Sequence, residues 1–222
     1  MPFNGYLVER GTNVNSRKYE RKSRYCRDRR NKADNYTHLN KHYCQKGQIV
    51  LAGDSITDMY YHYELFEEYR SESGKKVYNR GIGGDCTNRL LERLESNVLC
   101  LEPEKIVYLI GTNDLAFGAS KEYVAENIRE IIERTKHRCP GCKIAFQSVY
   151  PVNRLRDRKN RDMLALNVLI KEICRETDTV YIDLYDALCD SEGNFDMKYT
   201  YDGLHPNVHG YEIITKAILE FI

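Results

Sequence analysis

The chain has no apolar run near the roughly 20 residues of a membrane span, so no transmembrane helix is expected. It opens Met1-Pro2-Phe3-Asn4-Gly5-Tyr6, without the basic stretch and apolar core of a secretory leader. It has no excess of one charge: 34 Lys and Arg stand against 33 Asp and Glu, a net of +1. That balance argues against a specific nucleic-acid partner. No zinc-finger spacing and no Lys-Ser/Thr phosphate loop occur. Gly81-Ile82-Gly83-Gly84-Asp85 lacks the Gly-x-Gly-x-x-Gly spacing of a dinucleotide site. Cys139-Pro-Gly-Cys142 has no second cysteine pair beside it to complete a four-thiolate metal site.

Eight cysteines are present. With no leader visible, and a chain long enough to form a core without staples, they are expected to be free thiols in a reducing cytoplasm. The Cys139–Cys142 spacing matches a thioredoxin-like redox pair. However, it joins a helix to a strand instead of following a strand, so redox chemistry is the weaker reading.

A chain of 222 residues suits one substantial α/β domain. The charge is unevenly spread. Residues 1–46 carry 12 basic and 4 acidic residues, whereas the remainder carries 22 and 29. Residues 1–15 read as an irregular arm. Residues 16–46 read as basic and partly helical, with Tyr36, Leu39 and Tyr43 at helical spacing. The run Arg21–Arg30 is read as a solvated helical face in preference to a polyanion site. This 1–46 arm is expected to pack on the core or mediate assembly, and a homo-oligomer is left open. Residues 47–222 form the main domain.

From Gln48 onward, strand and helix patterns alternate. Strands are expected at Ile49–Ala52, Lys76–Asn79, Ile106–Ile110, Lys143–Ser148 and Val180–Leu184. Helices are expected at Thr57–Tyr69 (capped near Thr57 or Asp58), Asp85–Leu99, Ser120–His137, Lys159–Glu176 and Val208–Phe221. The pattern predicts a five-stranded parallel sheet with helices on both faces. Ser55, Gly81–Asp85, Gly111–Asp114 and Gln147–Asn153 then all fall at carboxyl ends of strands, where open α/β sheets bind ligands.

An isolated Gly-Asp-Ser is more often a helix cap than a nucleophile. Here Ser55 follows a buried strand and starts a helix, whose field favours developing negative charge. Asp202-Gly-Leu-His205-Pro206 supplies an imidazole with a carboxylate three residues upstream. Ser55, His205 and Asp202 are the parts of covalent acyl transfer. His209 is a rival without an equally placed acid. The Gly81–Asp85 turn precedes a helix and can aim a backbone N–H at an oxyanion; the Asn113 amide can offer a second donor.

These blocks resemble the SGNH (GDSL-type) hydrolase family: Gly53-Asp54-Ser55, the glycine block ending at Gly84-Asp85, Gly111-Thr112-Asn113-Asp114 and Asp202-x-x-His205, in that order. The similarity runs from about residue 47 to the end, and is greatest to the branch of platelet-activating-factor-acetylhydrolase-like and acetylesterase-like proteins. It implies a three-layer α/β/α, flavodoxin-like fold. It implies Ser55 as nucleophile with Asp202 and His205, and Gly84, Asn113 and the Ser55 amide as an oxyanion hole. It implies ester hydrolysis without metal or cofactor. The expected substrate is a small-molecule ester, with a small acyl group, foremost acetyl, on a carbohydrate or similar polar alcohol. A lysophospholipid or thioester, and a non-catalytic scaffold, are the alternatives. Asp54, Tyr60, Tyr150 and Asn153 are candidate pocket residues.

Overall fold

The computed structural model describes the backbone over residues 14–222 and side chains from Asp28 onward. The irregular arm expected over 1–15 therefore lies almost wholly outside the described residues. So do the side chains of Arg21–Arg27 and Cys26.

Five strands form one parallel sheet: β1 (Ile49–Gly53), β2 (Val77–Gly81), β3 (Lys105–Leu109), β4 (Lys143–Gln147) and β5 (Val180–Ile182). Their order is β2-β1-β3-β4-β5. The chain reverses its direction of travel between β1 and β3. That is the switch point, where loops part and leave a crevice.

Nine α-helices accompany the sheet among the described residues: α1 (Val14–His42), α2 (Ser55–Asp58), α3 (His62–Leu65), α4 (Glu67–Ser73), α5 (Thr87–Arg93), α6 (Thr112–Ala116), α7 (Lys121–Arg138), α8 (Asn160–Glu176) and α9 (Val208–Leu219). Alternate strand residues divide between two cores, as the pleat requires. Val50, Ala52, Ile106, Tyr108, Ile144 and Phe146 pack with α5, α7 and α8. Ile49, Leu51, Val107, Leu109 and Ala145 pack on the other face with Phe66 and with Tyr211, Ile214 and Ile218 of α9. The three-layer α/β/α architecture follows.

Two expected helices differ from the pattern. The helix expected over 57–69 is three short pieces. Its cap is Asp54, whose side chain accepts the Ile56 N–H at 3.0 Å. Tyr60 breaks it by turning inward, stacked on Tyr211 with ring centroids 4.7 Å apart and 2.6 Å from the Thr215 hydroxyl. The helix expected over 85–99 starts at Thr87 and changes to a π-turn at Leu94–Val98. There the buried Asn97 amide donates to the Ala33 carbonyl and the Thr37 hydroxyl of α1, both at 3.0 Å. That tertiary bond explains a rarely used helix type. Ser120 does cap α7, accepting from the Tyr123 N–H at 3.2 Å.

Among the described residues no helix is long and apolar enough to cross a membrane. The seven described cysteines are free. Burial pushes the Cys142 thiol up to about 12 and raises Cys139 also. Both are poor thiolates, which disfavours redox use.

Candidate active site

Ser55 is the first residue of α2, directly after β1 and the buried Asp54. Its Oγ lies 2.9 Å from His205 Nε2. His205 Nδ1 lies 2.7 Å from Asp202 Oδ2. A carboxylate accepts, so Nδ1 carries the proton and Nε2 is left to accept from Ser55. Residues 147 and 150 positions apart in sequence thus form one hydrogen-bonded chain.

Local structure sets the acid and imidazole. Asp202 Oδ1 accepts the amides of Leu204 at 2.9 Å and His205 at 2.8 Å, closing a tight turn. Gly203 has φ +82 within that turn, and a Cβ there would meet the Asn153 carbonyl oxygen at 2.0 Å. Only glycine fits both constraints. Partial burial raises the Asp202 pKa. The bonds from the His205 and Leu204 amides and the His205 ring outweigh it and hold the carboxyl below its usual range. His209, the rival imidazole, is exposed and its Nδ1 lies 3.3 Å from Glu212.

The opposite wall is buried. Asn113 in α6 donates through Nδ2 to the Asp85 carbonyl at 3.0 Å and makes a long 3.4 Å contact to Asp54 Oδ2. The long contact leaves one amide hydrogen weakly used. Arg158, from the loop after β4, donates to Asn113 Oδ1 at 2.8 Å. That bond fixes which way the amide points. Asp114 accepts the Thr87 amide and hydroxyl, the latter at 2.6 Å. Asp85 pairs with Arg93 at 2.7 Å, and Arg93 reaches on to the Gly53 carbonyl at 3.0 Å. A Cβ built on Gly83 would stand 4.0 Å from Ser55 Cβ, so the glycine loop adjoins the serine.

Burial pushes the Asp54 carboxyl up to about 7. The Ile56 amide and Arg158 oppose that rise, and Asp85 and Asp114 add to it. Asp85 and Asp114 are also raised by burial, Asp85 against the pull of Arg93.

The structure thus brings together Ser55, Asp202 and His205, and sets the glycine loop and Asn113 on the buried side. It does not put the expected pocket residues at an open surface. Asp54 is fully buried as a helix cap. Tyr60 is committed to Thr215 and Tyr211, and burial raises its phenol. Tyr150 is buried, with its hydroxyl on Gln147 Oε1 at 2.6 Å. Asn153 is half-buried and braces the turn, its N–H on the Gly203 carbonyl at 2.9 Å and its side chain on the Phe195 carbonyl at 2.8 Å. Two arginines escaped the sequence reading: Arg158 on Asn113 and Arg29 on Gly84.

The open parallel sheet with its Ser–His–Asp chain at the strand ends defines a class, the doubly wound α/β proteins. Comparison with known proteins narrows it: the chain belongs to the GDSL-like lipase/acylhydrolase family, whose model matches residues 51–213. It is 30% identical over 176 residues to an N-acylneuraminate cytidylyltransferase of Escherichia coli O18:K1:H7, covering 78% of this chain but 40% of that protein. The chain therefore spans less than half the length of that relative. It is 27% identical to bovine (Bos taurus) platelet-activating factor acetylhydrolase IB subunit alpha1, covering 77% of this chain and 73% of that one. It is 26% identical to an acetylxylan esterase of Geobacillus stearothermophilus, covering 79% and 93%. A solved structure from Streptococcus pneumonia, provisionally described as a platelet activating factor, superposes with a TM-score of 0.85 at 28% identity, covering 95% of this chain and 99% of that chain.

Proposed function

We propose that this chain is a cytoplasmic serine esterase that removes a small acyl group, foremost acetyl, from a carbohydrate or similar polar alcohol. The observation that carries the reading is the unbroken chain from Ser55 Oγ through His205 to Asp202, at 2.9 and 2.7 Å. His205 Nε2 takes the Ser55 proton as Oγ attacks the ester carbonyl. The oxyanion is held by the amides of Ser55 and Gly84 and by Asn113 Nδ2. His205 then protonates the departing alcohol, leaving an acyl-serine. Water, deprotonated by His205, attacks that ester and releases the carboxylic acid. No step calls for a metal or cofactor.

Two things support the acyl and alcohol assigned. The relatives include an acetylxylan esterase and a platelet-activating factor acetylhydrolase. The imidazole side of the site carries an exposed aromatic rim. Tyr201, whose N–H donates to the His205 carbonyl, meets Tyr61 hydroxyl to hydroxyl at 3.0 Å. Such a rim combines an apolar face with hydrogen-bonding groups, which suits a sugar ring.

A series of p-nitrophenyl esters from acetate to decanoate tests the reading, with Ser55→Ala beside the wild type. Activity is expected to be highest on acetate and to fall by at least about a hundredfold in Ser55→Ala. Preference for long chains would favour a lysophospholipase or thioesterase instead. A folded wild type that hydrolyses no ester and is not labelled at Ser55 by a fluorophosphonate would be a scaffold.

A further inference from the structure

Arg29, Lys32, Tyr36 and Asn40 recur on one face of α1, three and four residues apart. That face meets the glycine loop and the strand that feeds it. The Tyr36 hydroxyl donates to the Gly81 carbonyl at 2.9 Å. Lys32 pairs with Asp58, whose other oxygen accepts the Gly83 N–H at 2.9 Å. Arg29 donates to the Gly84 carbonyl at 2.8 Å and lies 3.7 Å from Asp85. Asn40 Oδ1 accepts two bonds from Arg80, at 3.0 and 2.6 Å. All three loop glycines are thus tied to α1 directly or through one side chain.

Gly84 has φ +71 and no side chain, so its backbone has little conformational preference of its own. Its geometry must be imposed by neighbours. Among the described residues of α1, Arg29 is the basic residue that is buried, at 9% exposed, while its neighbours Asp28 and Arg30 are exposed. A buried guanidinium is costly without acceptors, and the loop supplies them. Among the described residues of this basic segment, Arg29 and Lys32 therefore both face the glycine loop.

We infer that α1 clamps the Gly81–Asp85 loop, and that Arg29, by holding the carbonyl on the far side of the Gly84 Cα, is the positioning residue that presets the Gly84 N–H for the oxyanion. The inference rests on the reading of Gly84 as an oxyanion donor. Arg29 does not touch the reacting atoms. It removes a reorganisation that the loop would otherwise make at the moment of reaction.

The test uses the full chain with Arg29→Met, Arg29→Lys and, on the exposed side of α1, Arg30→Met. Rates on p-nitrophenyl acetate are paired with affinity for a phenylboronic acid, whose adduct with Ser55 is tetrahedral. Arg29→Met is expected to lower kcat about tenfold with KM within about twofold, because a small misplacement of a donor costs rate before binding. Boronate affinity should fall in parallel. Arg29→Lys should recover part of both, and Arg30→Met should match wild type. An unchanged kcat in Arg29→Met, or a lower kcat with unchanged boronate affinity, overturns the clamp. If Arg29→Met does not fold, Tyr36→Phe decides: a proportionate fall in kcat and boronate affinity supports the clamp, and none overturns it. An inactive but folded wild type would sink the esterase reading alone. The clamp would then be judged by amide hydrogen exchange at Gly84 and Asp85, faster in Arg29→Met if it holds and unchanged if it does not.

Discussion

The two sides of the Ser55–His205 contact have opposite surroundings. On one side, Asp54, Asp85, Asn113 and Asp114 are each at most 5% exposed, and each is held by neighbouring donors or acceptors. On the other, the Asp202 side chain is 54% exposed and the His205 side chain 20%. On the proposed reading, the difference matches what each side would do. Donors for a developing oxyanion help most when they are fixed and dry before the reaction starts. A base that takes and gives back a proton, then activates water, needs contact with solvent.

This comparison ranks mutations. The largest effect within it belongs to Asn113→Ala. Its amide is held in a buried network before the reaction begins, so kcat is expected to fall about 10² to 10³-fold. Steady-state kinetics on an acetate ester give the number. Asp202→Ala should cost less, roughly thirtyfold, well short of the roughly 10⁴-fold seen for a buried triad aspartate. Water can approach the exposed Nδ1 and partly replace the carboxylate. If Asp202→Ala proves more damaging than Asn113→Ala, the contrast between a rigid and an open side is broken.

The open side was also the more legible in sequence. Asp202 and His205 are three residues apart and make a local turn, so the motif contains its own geometry. Ser55 was legible because an apolar strand precedes it and fixes it at the sheet edge. The five-stranded parallel sheet was legible from strand–helix alternation, and its three layers from the resemblance. The buried side was read less well, since its partners are distant in sequence. Arg29 reaches Gly84 across 55 positions and Arg158 reaches Asn113 across 45, and no local pattern signals either bond. Tyr60 and Tyr150 are buried, and aromatic residues near a motif do not reveal whether they face a cleft or a core. The two misread helices fail at Tyr60 and Asn97, where long-range bonds outweigh local propensity.

The same contrast extends to pH, with opposite signs on the two sides. Asp54 is raised to about 7 in the folded protein, against about 3.9 for a free aspartate. Between about pH 4 and 7 the folded state keeps a proton that the unfolded chain has lost, so stability falls as pH rises through that window. Above about 7 both states are ionised and the contribution is gone. Asp202 is held below its usual range, so its contribution is present at neutral pH and is lost only as pH falls below about 4. Asp54→Asn keeps an oxygen to cap Ile56 but removes the titration. Thermal melts from pH 4.5 to 7.5 should therefore show the wild type losing stability relative to Asp54→Asn as pH rises. The effect on catalysis should be smaller than that of Asn113→Ala, because Asp54 contacts only the weakly used hydrogen of that amide. Parallel melting curves would mean that Asp54 is already ionised inside the fold. The buried side would then be polar enough to hold a charge, and the contrast with Asp202 would shrink to one of exposure alone.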